Sequence, residues 1–119
     1  MKKTAVIGAS PNPDRYSHKA VQALVKSGFD CVAIGLKQGQ IDGIPIQLHP
    51  IDTSTIDTVS LYVGPKNQQA WREMILKIHP NRVIFNPGTE NPEFESELIR
   101  NGIMVEHACT LVLLSTGQF

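Results

Sequence analysis

The sequence predicts an α/β fold: a doubly wound, three-layer sandwich around a mainly parallel, five-stranded sheet. Two observations lead there. Five short apolar runs of strand length recur along the chain, rich in Val and Ile and mostly without polar alternation, and segments of helical period separate most of them. Uninterrupted apolar strands belong in a sheet covered on both faces. Strand–helix alternation with right-handed crossovers then makes that sheet parallel.

In chain order, "TAVIG" (4–8) is the first strand, and a helix starting near Ser17 carries the stripe Ala20, Val21, Leu24 and Val25. Gly28 falls just past that helix, where a left-handed residue is cheapest as glycine. "CVAIG" (31–35) is the second strand. The segment 36–57 is irregular; Asp42-Gly43 marks a turn, and "IPIQL" reads as a short edge strand or an extended loop. "TVSLYV" (58–63) is the third long run, and Pro65 then suits the first position of a helical segment bearing Ala70, Trp71, Met74, Ile75 and Ile78 on one stripe. After "RVIF" (82–85), Asn91 is placed to cap a helix with Pro92 at its first position, Glu93 and Glu95 in its first turn, and Phe94, Leu98 and Ile99 on its apolar stripe. Gly102 ends that helix before "IMVE" (103–106), and "CTLVLLS" makes a short closing helix.

The 119 residues suit one domain, 1–119, able to bury about two-thirds of its unfolded surface without a disulfide or metal staple. Eleven basic residues balance eleven acidic ones, so the chain has no overall attraction for nucleic acid or an anionic membrane, and any anion site is local. Cys31 and Cys109 sit in apolar stretches without close pairing, as reduced thiols do, which points to the cytoplasm. The apolar run in "MKKTAVIGAS" is too short for a signal segment, and no stretch approaches the roughly 20 apolar residues of a membrane span.

In such a sheet, ligands bind beyond the carboxyl ends of the strands, where the first loop meets the first helix. Here that loop reads "VIGASPNPDRYSHKAV". A dinucleotide-binding loop uses three glycines, and only Gly8 remains here. Ala9 and Ser10 are small enough for backbone approach, and Pro11, Asn12, Pro13 and Asp14 lengthen and stiffen the turn. Arg15, Ser17, His18 and Lys19 crowd the helix start, where cations oppose the helix dipole unless an anion lies between them. After the second strand comes Lys37, with no acid until Asp42. A carboxylate there would serve the ribose hydroxyls of NAD; a lysine suits a phosphate on the adenosine ribose, as in NADP or coenzyme A (CoA).

Nearly the whole chain resembles the small stand-alone CoA-binding proteins, whose Rossmann-like domain is similar to the CoA-binding N-terminal domain of the succinyl-CoA synthetase alpha subunit. The segments that carry the resemblance are "VIGASPNPDRYSHKA", "IGLKQGQIDGIPI", "LYVGP", "NPGTENPE" and "CTLVLLSTGQF". The resemblance implies that Gly8, Ala9, Ser10, Arg15 and Ser17 surround the phosphates of CoA or an acyl-CoA, and that Lys37 reaches the phosphate-bearing adenosine side. It further implies that Val63, Gly64 and Pro65 line the wall beside the adenine or the pantetheine arm, with Pro87 and Gly88 bordering the crevice. Where many relatives have an acidic or amide residue before the terminal cysteine, this chain reads "VEHACT". The synthetases' phosphorylated-histidine domain has no counterpart within the 119 residues.

No catalytic constellation stands out. His107 precedes Cys109 by two positions at a strand end, and the apolar run that follows reads as packing for the thiol. His18, His49, His79 and His107 lack ligand spacing, so no metal is expected. Glu90, Glu93, Glu95 and Glu97 read as a solvated helix face. The sequence therefore predicts a CoA-binding module without catalysis of its own. Alternatives are an NADP-binding or redox-sensing domain, and a regulatory subunit with a vestigial nucleotide site. The tail ending at Phe119 is apolar enough to pack on its own domain, a second copy or another protein.

Overall fold

The computed structural model describes residues 3–49 and 56–119. The predicted runs form β1 (Lys3–Ile7), β2 (Asp30–Ile34), β5 (Ile56–Leu61), β6 (Arg82–Phe85) and β7 (Met104–His107). All neighbouring pairs among them are parallel. Two further strands, β3 (Gln40–Ile41) and β4 (Ile44–Gln47), raise the sheet to seven strands in the order β3-β4-β2-β1-β5-β6-β7.

The predicted five-stranded sheet is thus corrected. β3 and β4 are antiparallel, and β4 joins β2 in parallel, so the sheet is mixed at this edge. The reason is the Asp42-Gly43 turn, whose φ values of 48° and 85° are both positive. A tight two-residue hairpin requires that geometry, and Asp-Gly is among the pairs that adopt it most readily. Both strands are too short to show as apolar runs. Residues 50–55 of the segment expected to be irregular lie outside the described residues.

Side-chain alternation along the strands builds two apolar layers. On one face, Ala5 and Ile7 of β1, Val59 and Leu61 of β5, and Phe85 of β6 pack with Trp71 and Ile75 of α2 (Gln69–Ile78) and with Phe94 and Leu98 of α3 (Pro92–Arg100). On the other, Val6 and Ala33 meet Val21 and Leu24 of α1 (Tyr16–Lys26), and Leu114 of α4 (Thr110–Ser115) joins them. Burying each large apolar side chain contributes roughly 1.5–3 kcal/mol, so each helix is held by its stripe more than by its own propensity. Val25, Ala70 and Ile99, placed on stripes by their spacing, are exposed; each lies at the margin of its stripe, where the arc turns toward solvent.

The ends of the elements follow local chemistry. Asn91 Oδ1 accepts from the Phe94 amide at 3.3 Å, capping α3 as expected. α1 starts at Tyr16, one residue before the predicted position. The acidic group is only partly a solvated face. Glu95 is buried, accepts from the Asn91 amide at 2.7 Å and lies 2.5 Å from His107 Nε2, while Glu97 pairs with Arg72 at 2.9 Å. Helical spacing carried Glu95 toward β7, where His107 and an amide satisfy the carboxylate that burial would otherwise penalise. The tail folds back on its own domain: Phe119 meets Phe29 edge-on at 5.1 Å, and its carbonyl oxygen accepts from Arg82. No helix of the described residues is long and apolar enough to cross a membrane.

Candidate functional site

Strand order reverses around β1, between β2 and β5, and a crevice of about 800 Å³ opens beyond the carboxyl ends of these strands. The loop after β1 forms its floor. Gly8 has φ +97°, and a β-carbon there would lie 3.0 Å from the Tyr62 backbone, so glycine is required twice over. The amides of Gly8 and Ala9 both donate to the Ile34 carbonyl at 2.9 Å. These two residues therefore shape the loop, while their own donors are already spent on β2.

The open donors belong to α1. Its N-cap, Arg15, is extended and makes no side-chain cap, and no acidic residue occupies the first turn. The Arg15 amide donates to Asn12. The amides of Tyr16, Ser17 and His18, at the first three helical positions, have no intrahelical acceptor. An anion placed at such an end gains roughly 0.3–1 kcal/mol, and up to about 2 when partly buried. His18 braces the approach, its Nδ1–H donating to the Ser10 carbonyl at 2.9 Å.

Every residue expected at the site lines this one crevice, apart from Pro65. Ser10, Arg15 and Ser17 stand on the α1 side, with Gly8 and Ala9 beneath them. Lys37, on the loop after β2, reaches the same space. Val63 and Gly64 come from the loop after β5, and Pro87 and Gly88 from the loop after β6. Pro65 starts the short 3₁₀ turn Pro65–Asn67 and is absent from the lining; as the first residue of that turn it sets the loop's direction. Neither Arg15 nor Lys37 takes part in an ion pair among the described residues. Asp14 also faces the crevice and supplies a carboxylate at its α1 end.

Sequence reasoning missed several lining residues. Tyr16 and Leu36, 68% and 82% exposed, flank the two cations as apolar surfaces at the mouth. Their signal was adjacency to Arg15 and Lys37. Trp71 and Leu36 also border a neighbouring apolar groove of about 600 Å³. Tyr62 lines the crevice with a buried hydroxyl that makes no hydrogen bond of good geometry; the nearby Ser60 and Thr110 hydroxyls bond each other at 2.7 Å. Burial, with the Cys109 thiol adding to it, pushes the Tyr62 hydroxyl up to about 12. His107 is turned to Glu95, and Cys109 is the half-buried N-cap residue of α4.

The model of the CoA-binding domain matches residues 2–115. The chain belongs to this family. A crystal structure of an uncharacterised protein is similar to it at 44% identity and TM-score 0.95, covering 100% of this chain and 98% of that one. A hypothetical protein from Pyrococcus horikoshii OT3 is similar at 26% identity and TM-score 0.85, covering 97% of this chain and 82% of that one. The dinucleotide-forming acetyl-coenzyme A synthetase 1 of Ca. Korarchaeum cryptofilum shares the fold at 20% identity and TM-score 0.68, with 87% of this chain covering 25% of that one. No curated protein matches the sequence. The resemblance to CoA-binding proteins drawn from the loops is thereby established, and Rossmann-like describes the fold, with the hairpin added at its edge.

Proposed function

We propose that the chain is a single cytoplasmic domain that binds CoA or an acyl-CoA in this crevice and performs no catalysis of its own. The pyrophosphate sits against the open first turn of α1, beside Arg15 and Ser17. The phosphate on the adenosine ribose pairs with Lys37, and the adenine turns toward the apolar surfaces of Leu36 and Trp71. The pantetheine arm runs along Val63 and Gly64 toward Pro87 and Gly88. One observation carries this reading: Arg15 and Lys37, two cations without ion-pair partners among the described residues, share a crevice with an uncapped helix end. A ligand phosphorylated at two separated points uses both.

NADP also carries a phosphate on its adenosine ribose, so Lys37 alone does not separate it from CoA. Calorimetric titration of the protein with CoA, NADP and ADP separates them. The expected order is CoA tightest, with NADP and ADP weaker by about tenfold or more, a difference of about 1.4 kcal/mol. NADP binding more tightly than CoA, or no CoA binding at millimolar concentration, overturns the reading.

A further inference from the structure

We infer that Gln68 is a positioning residue that fixes the spacing of two crevice loops, and that it serves the arm of the ligand while leaving the phosphate end untouched. The inference rests on the CoA reading of the crevice. Gln68 itself lies behind the lining, 1% exposed, at the junction of the 3₁₀ turn and α2. Its Nε2 donates to the Val63 carbonyl at 2.9 Å and to the Thr89 carbonyl at 2.6 Å. Its Oε1 accepts from Asn91 Nδ2 at 3.0 Å. A carboxamide has two N–H donors, and both are used on carbonyls from two different loops. Val63 and Thr89 both line the crevice.

One planar amide therefore ties the loop after β5 to the loop after β6. Without it, the buried Thr89 carbonyl and the half-buried Val63 carbonyl lose their donor, which a buried backbone group tolerates poorly. The amide is in turn held in place. Asn91 is the N-cap of α3, its amide donates to Glu95, and Glu95 pairs with His107 on β7. The orientation of Gln68 is thus set by three residues, Asn91, Glu95 and His107, that take no part in the lining.

The phosphate end has hydrogen-bond supports of its own and meets this wall where Gly8 packs against the Tyr62 backbone and the Val63 side chain. Its loop hangs on the Ile34 carbonyl and the His18 brace, and none of the side-chain hydrogen bonds of Gln68 reaches either. A change at Gln68 should move only the wall beside Val63 and Thr89.

The test titrates wild-type protein, Gln68→Met and Gln68→Glu with CoA and with adenosine 3′-phosphate 5′-diphosphate, which has the three phosphates and no pantetheine arm. Methionine keeps the length of the side chain and removes both donors. The expected result is CoA affinity reduced about tenfold in Gln68→Met, with the nucleotide half-ligand changed less than about twofold. In Gln68→Glu, an ionised carboxylate offers the two carbonyls no donor and the protonated acid offers one, so CoA affinity is low at pH 8 and recovers in part on acidification, while the wild type lacks that profile. Equal loss for both ligands, or no loss for either, overturns the inference, as does the absence of a cooperative melt in both variants. Wild-type protein that binds the half-ligand but gains nothing from the arm also overturns it and leaves the phosphate reading standing. Wild-type protein that binds neither overturns both.

Discussion

Gly35 lies so close to the carbonyl oxygen of Ala9 that one methyl group added to it would overlap that oxygen. The contact joins the end of β2 to the loop after β1, and the Gly8 and Ala9 amides donate to Ile34, the residue just before Gly35. The position of the first loop therefore depends on a missing β-carbon on the neighbouring strand. Gly35→Ala should cost about 1–3 kcal/mol of stability, because relief requires backbone movement. A lower urea midpoint together with weaker CoA binding checks this. A variant with wild-type values for both would show that the loop has room to move.

Asn86 is fully buried at the end of β6 and connects three elements. Its Nδ2 donates to Ser60 Oγ at 3.0 Å and to the Leu61 carbonyl at 2.9 Å, and its Oδ1 accepts from the Thr110 amide at 2.8 Å. Thr110 opens α4, so Asn86 satisfies an amide that would otherwise be an orphan of the helix start. Asn86→Ala leaves several buried polar groups unpaired at about 1–3 kcal/mol each. The expected loss is about 3 kcal/mol, read by chemical denaturation, and α4 amides should exchange faster with deuterated solvent.

Cys31 bears on stability at alkaline pH. Burial, reinforced by the neighbouring Asp30 carboxylate, pushes its thiol up to about 11 from 9.0. Between these values the unfolded chain releases the thiol proton while the folded chain keeps it. The contribution is fully present below pH 9 and is lost as the pH rises toward 11. Stability should therefore fall across that window, and Cys31→Ala should flatten the decline. Thermal melts of both proteins from pH 8 to 11 measure it; identical slopes would contradict the assignment.

Much of the fold was legible because long parallel strands announce themselves as apolar runs and the helices as stripes. β3 was not, being too short to carry a pattern; β4 showed only as "IPIQL", a short edge strand or loop, and Asp42-Gly43 marked the turn between the two. The lining of the candidate crevice was legible where it follows strand ends. Gly8, Arg15, Lys37, Val63 and Pro87 all stand on loops that leave one edge of the sheet. What stayed hidden depends on tertiary contact: the Gln68 amide between two loops, the turn of Glu95 inward to His107, and the use of the Gly8 and Ala9 amides by Ile34. A polar residue on a helix looks the same in sequence whether it meets water or a buried carbonyl.

Lys37 gives the most direct test of the whole account, because only a ligand with a phosphate on its adenosine ribose requires a cation there. CoA and dephospho-CoA are titrated against wild-type protein and Lys37→Ala. The account predicts that the wild type prefers CoA by about tenfold, roughly 1.4 kcal/mol, and that Lys37→Ala binds both ligands alike, near the wild-type affinity for dephospho-CoA. Equal affinities in the wild type, or a preference that survives the substitution, would contradict it.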